Sequence, residues 1–102
     1  MISLSALLVL ALAGCGQPAL DRRTSGDPRA GRAVFRFAGC ATCHAISGIA
    51  VGEGGPGLDA EGNRRAAPWL RRMLPGHMKA VGASAWPRRD VEDLVAYLVS
   101  LR

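Results

Sequence analysis

The chain has 102 residues, with thirteen Lys and Arg against eight Asp and Glu, a formal net charge of +5 and a pI near 10.1, the positive charge carried by arginine and a single lysine. That length allows one small domain, which is marginal unless something beyond a hydrophobic core staples it. The basic balance would suit nucleic acid, but no helix-turn-helix and no aromatic-basic pattern accompanies it; an acidic protein partner, anionic lipid head groups or a merely solvated arginine surface remain.

Met1 to Leu12 is uncharged and rich in Leu, Ala and Val, the pattern of the apolar stretch of a secretory signal. It is shorter than the ~20 apolar residues that a membrane-spanning helix needs. It runs into Leu12-Ala13-Gly14-Cys15, which resembles a bacterial lipobox and makes residues 1–14 a lipoprotein signal peptide with Cys15 the lipidated first residue of the mature chain. An ordinary signal peptide with an incidental cysteine is the alternative, and no Lys or Arg precedes the apolar run. Both readings export the chain, to a periplasmic or outer-surface location. Residues 15–26, polar with Pro18, Asp21-Arg22-Arg23 and Ser25-Gly26, read as the lipidated tether. A flexible segment of that length spans roughly 20 Å on average.

The domain is expected over residues 27–102. Asp27-Pro28 is a helix start, with Asp27 as N-cap and Pro28 at the first helical position, where a missing N–H costs nothing. The helix is expected to run from Arg29 to about Gly39, with Val34, Phe35 and Ala38 on its apolar face and Gly31 leaving a flat spot one turn before Phe35. Cys40-Ala41-Thr42-Cys43-His44 follows. Cys-x-x-Cys-His is the spacing at which two thiols on one helical turn can be joined to one haem edge while the next residue ligates iron. A thioredoxin-type dithiol should sit beside a βαβ pattern, and no strand-like alternation lies near this one. A closed zinc site needs a fourth ligand, for which only His77 or Cys15 remains. With Cys15 lipidated and Cys40 and Cys43 in thioethers, no disulfide is left to make.

Ile46 to Leu58 is a glycine-rich loop without a phosphate-binding pattern. Pro68 to Leu74 reads as a short amphipathic helix closed by Pro75-Gly76, and Asp90 to Leu101 as a final helix with Val91, Leu94, Val95, Leu98 and Leu101 at helical spacing. The chain is therefore expected to be all-α, with its first and last helices crossing.

These residues resemble the class I c-type cytochromes from about Asp27 to Arg102. Gly31-x-x-x-Phe35 and Tyr97 are similar to the family's crossing of terminal helices, and Cys40 to His44 to its haem attachment. The resemblance implies one covalent haem c, with His44 as an axial ligand whose Nδ1–H is held by the carbonyl of Pro56 in Gly55-Pro56-x-Leu58. It also implies Arg64 or Arg65 near a haem propionate and Trp69-Leu70 packing on the ring. For the sixth ligand it points to Met78, which follows the Pro75-Gly76 break as family ligands do in an extended loop, although Lys79 stands where a proline is usual. Met73, His77 and an empty position stay open. Trp86 reads as a loop anchor or a further cover of the ring.

The expected function is electron transfer by a membrane-tethered mono-haem protein in an exported respiratory or oxidoreductase chain, with no catalytic residues and no small-molecule substrate. Redox proteins with an acidic docking face are its expected partners. A haem enzyme or gas sensor with an open sixth position, and a cytochrome subunit of a larger membrane oxidoreductase, are the alternatives.

Overall fold

The computed structural model describes residues 20–83 and 85–102. Met1 to Leu12, the lipobox and Cys15 lie outside the described residues. Four α-helices, one 3-10 turn and a two-residue strand pair make up the described chain: α1 (Pro28–Phe37), the turn Cys40–Thr42, β1 (Ala45–Ile46), β2 (Ala50–Val51), α2 (Glu61–Arg64), α3 (Ala67–Ala80) and α4 (Arg88–Ser100). No helix among the described residues is long and apolar enough to cross a membrane.

The Asp27 carboxylate accepts the Arg29 N–H at 2.9 Å and Pro28 opens α1, as the local sequence dictates. The helix stops at Phe37, two residues before Gly39, which takes the left-handed conformation at φ 82° and turns the chain into the cysteine segment. α1 crosses α4, and the crossing rests on Gly31. A Cβ there would collide with the Asp93 carbonyl and lie 2.7 Å from Tyr97 Cβ. Phe35 packs beside Tyr97 with ring centroids 5.8 Å apart and a 59° tilt, within the range favoured by aromatic pairs. The Asp93 side chain, buried at 8 % exposure, accepts the Asp27 N–H at 2.8 Å, so the cap of α1 is itself fastened to α4. Phe35, Leu94 and Val95 are almost fully buried. Each such side chain contributes about 1.5–3 kcal/mol relative to exposure.

Two expectations are corrected here. The segment from Leu20 to Gly26 does not stand off as a tether. The Asp21 carbonyl accepts the Ala67 N–H at 2.7 Å, Arg22 Nε donates to the Gly62 carbonyl at 3.0 Å, and the Thr24 hydroxyl donates to Glu92 Oε1 at 2.8 Å. Polar composition suggested a solvated linker, whereas the backbone and side chains of this segment make hydrogen bonds with α2, α3 and α4. The second correction concerns α3, which continues through Pro75 and Gly76 instead of ending there. Proline inside a helix forfeits the bond to the carbonyl four residues earlier and costs about 3 kcal/mol. Leu70, Leu74 and Met78, at 1, 5 and 5 % exposure, form one buried row along the helix and offset that cost. A smaller difference is the strand pair, where Ala45 faces Val51 and Ile46 faces Ala50 around a turn with Gly48 at φ 75°. Two residues per strand are too few to show alternation in a sequence.

Arg71 joins α3 to α4 by a two-pronged pair, Nε to Glu92 Oε2 and Nη2 to Glu92 Oε1, both at 2.8 Å. The Arg71 guanidinium, helped by the Thr24 hydroxyl, brings the Glu92 carboxyl down to about 2 from 4.5. The folded-state value lies below the unfolded one, so this group's stabilisation is complete above the unfolded value and is lost as pH falls through the folded value. Acid unfolding of the wild type and a Glu92→Gln variant should therefore diverge above pH ~4.5 and converge toward pH ~2. Circular dichroism against pH checks this; parallel curves across that window would contradict it.

Candidate functional site

The Cys40–Thr42 turn closes with Cys43 N–H to the Cys40 carbonyl at 3.2 Å and His44 N–H to the same carbonyl at 3.0 Å. This is one helical turn, and it brings both thiols and the His44 ring to the wall of a single cavity of about 830 Å³. That volume falls within the range of sites that bury a ligand, about 300–1,000 Å³. Cys40 is half-buried and Cys43 exposed, and neither is in a disulfide. Burial pushes the Cys40 thiol above its ordinary range. Redox-active dithiols need the opposite shift, toward thiolate, so this environment disfavours the thioredoxin-type reading.

His44 is held by its backbone surroundings. Its Nδ1 lies 2.8 Å from the Pro56 carbonyl oxygen. A carbonyl can only accept, so Nδ1 carries the proton and Nε2 keeps the lone pair a metal requires. The expected contact between His44 and Pro56 is thus present. The glycine-rich loop makes it possible by passing within a side chain's width of the pentad. A Cβ on Gly55 would lie 2.7 Å from His44 Cε1 and 2.9 Å from Nδ1, and one on Gly52 would strike the Ala41 carbonyl and lie 2.7 Å from the His44 nitrogen. Gly55 N–H also donates to the Cys43 carbonyl at 2.8 Å. Gly55 was legible as part of the Gly55-Pro56-x-Leu58 turn, whereas Gly52 was not; its place in a glycine cluster just after a Cys-x-x-Cys-His pentad was the available signal.

Most of the apolar lining comes from three helices. Phe35 from α1, Leu70 and Leu74 from α3, and Leu94 and Leu98 from α4 supply apolar surface, joined by Leu58 from the loop. Arg64, Arg65 and Trp69 stand on the same wall. Arg64 Nη2 donates to the Gly57 carbonyl at 2.7 Å and to Glu61 Oε2 at 2.8 Å, which ties the loop to α2. The Arg65 guanidinium lies 4.1 Å from the centre of the Trp69 ring, a cation–π contact the residue order alone did not disclose. Trp86 lies elsewhere, lining a second cavity with Arg71, Lys79 and Arg88, so it anchors its loop and does not cover the first cavity.

Three side chains are candidates for a second metal ligand. Met73, His77 and Met78 all reach the main cavity from α3. Met78 is buried in the last turn of a helix and not in an extended loop, and it also lines the second cavity. The His77 ring is exposed and lies 6.0 Å from the His44 ring, centre to centre. No group of three or more His, Cys, Asp or Glu side chains that could hold a metal ion by itself occurs among the described residues.

A large planar group with an apolar face, an anionic edge and a metal centre fits this donor set. Two thiols are placed to be alkylated, one imidazole has its lone pair free, sulfur and nitrogen donors stand along α3, the walls are largely apolar, and two arginines are among the lining residues. The comparison with family models is consistent with that fit: the model described as cytochrome c oxidase, cbb3-type, subunit III matches residues 26–98. No curated protein and no solved structure matches the chain.

Proposed function

The chain belongs to the family described as cytochrome c oxidase, cbb3-type, subunit III, and from that membership and the cavity's donor set we propose that it is a membrane-tethered mono-haem electron carrier of an exported oxidoreductase chain. Its fold is the small all-α cytochrome c fold, and the family is one of haem c proteins that exchange electrons with redox partners. The observation that carries the finer reading is the convergence of both pentad thiols and the Pro56-bound His44 ring on one apolar cavity.

When bound, haem supplies an iron that exchanges one electron between its ferric and ferrous states. The protein's part is to hold, orient and desolvate it. Cys40 and Cys43 would hold it by thioethers, each formed by addition of S–H across a vinyl group with no loss of atoms. His44 would ligate the iron through Nε2, and the Pro56 carbonyl fixes its ring and raises its basicity. A second ligand would come from α3, where Met73, His77 and Met78 all line the cavity. Phe35, Leu58, Trp69 and Leu70 keep water from the ring and lower the local dielectric, which together with the ligands sets the potential. Arg64 and Arg65, exposed at the cavity wall, suit the anionic propionates. Exposed arginines elsewhere, Arg29, Arg32 and Arg36 on α1 among them, would steer an acidic partner toward productive encounter.

The test is to express the chain with a c-haem maturation system and record visible spectra of both oxidation states with and without carbon monoxide. The expected result is haem that survives denaturing electrophoresis, is reduced and reoxidised reversibly, and shows no spectral shift with carbon monoxide. Rapid carbon monoxide binding would instead support a haem enzyme or gas sensor with an open sixth position. The tether has a separate test. Labelled fatty acid should enter the wild-type chain and not a Cys15→Ala variant; label in both would exclude Cys15 as the acylated residue. A stable stoichiometric complex on extraction from membranes would favour a fixed subunit over a free carrier.

A further inference from the structure

Along α3 two rows of side chains run parallel at four-residue spacing, and they differ in what they meet. Leu70, Leu74 and Met78 form the buried row, at 1, 5 and 5 % exposure, and belong to the hydrophobic core. Trp69, Met73 and His77 form the other row; all three line the main cavity, and none of them is buried. Met78 lines both cavities, so it stands in the partition between them. The His77 ring lies near the His44 ring, with centres 6.0 Å apart and a 58° tilt.

That separation has a chemical meaning. Metal–imidazole bonds are about 2.0–2.1 Å long and a ring nitrogen lies about 1.2 Å from its ring's centre, so the centres of two imidazoles bound on opposite sides of one metal stand roughly 6.4 Å apart. The two rings here are within half an ångström of that spacing. The case for Met78 was an extended loop after Pro75-Gly76, and that segment is helical. Oxidation state adds a bias: thioether ligation raises the potential, which means that it favours ferrous over ferric iron more than imidazole does.

We propose that His77 is the sixth ligand of the ferric haem iron in this chain. The assignment rests on the haem reading above and names one residue within it. The Trp69, Met73, His77 row delivers the imidazole, His44 supplies the opposite one, and Met78 remains a core side chain in the oxidised protein.

The test uses the full matured protein and three variants, His77→Ala, His77→Met and Met78→Leu, examined by near-infrared absorption and electron paramagnetic resonance of the ferric state and by redox titration. The wild type is expected to show a bis-imidazole low-spin signal and no methionine-to-iron charge-transfer band. Met78→Leu should leave that signal unchanged. His77→Ala and His77→Met should lose it, and either should gain a methionine–iron band or high-spin iron together with a shift to higher potential. A methionine–iron band in the ferric wild type that Met78→Leu abolishes and His77→Ala leaves intact would overturn the assignment to His77 while leaving the haem reading standing. Absence of covalent haem from the purified wild type would overturn the haem reading itself.

Discussion

Replacing both Cys40 and Cys43 with alanine should eliminate covalent haem, so that acidified organic solvent extracts all of it and a denaturing gel shows no haem stain. The single variants should each retain one attachment and a shifted visible spectrum. The structural reason is that the two thiols share one helical turn whose carbonyl at Cys40 takes the N–H groups of both Cys43 and His44. The loss extends beyond the attachment. Phe35, Leu70, Leu74, Leu94 and Leu98 all open onto the cavity of about 830 Å³, and a domain this small has little other core to rely on. The double variant should consequently unfold at much lower temperature and denaturant concentration than the matured wild type. Retention of solvent-resistant haem by the double variant would show that the pentad is not the attachment site.

Gly31→Ala should destabilise the matured protein by about 3 kcal/mol, the upper end of what overpacking costs. A single methyl group has this effect because of what it meets. The nearest atoms to an added Cβ are the backbone carbonyl group of Asp93 and the Cβ of Tyr97, and neither is the far end of a flexible side chain that could turn away. Relief requires α1 and α4 to separate, which loosens the Phe35–Tyr97 contact and lengthens the Asp27 to Asp93 bond. Equilibrium denaturation of the haem-loaded protein measures the effect, and Ala30→Gly, at a half-buried α1 position next to it, controls for helix propensity. A loss below about 0.5 kcal/mol would mean that the helices yield easily and that the close crossing is not what holds them.

The Glu92 result carries a related lesson about the N-terminal segment. Thr24, Arg71 and Glu92 come from three separate stretches of chain and meet at one carboxylate. The segment that leads toward Cys15 is thereby fastened to α3 and α4.

Local chemistry was sufficient for much of the molecule. The Asp27 cap with Pro28, the turn that sets Cys40, Cys43 and His44 on one side and the apolar period of the last helix are each decided within a few residues by capping, turn geometry or side-chain period, and the structure has them all. The contact between Pro56 and His44 was legible only through family resemblance, because nothing in a Gly-Pro turn says which ring it will touch twelve residues away. Other features were out of reach for one physical reason: their energy lies in contacts between distant segments. Pro75 ends a helix by its own preference, yet α3 runs through it because Leu70, Leu74 and Met78 find the core on the far side. Asp21 to Gly26 is polar enough to be a linker, yet it is docked because α2, α3 and α4 offer partners that composition cannot list. The side of α3 that faces His44, and hence whether His77 or Met78 stands nearer to it, follows from how that helix rotates against α4. Burial and pairing across the fold set that rotation, and no run of adjacent residues contains it.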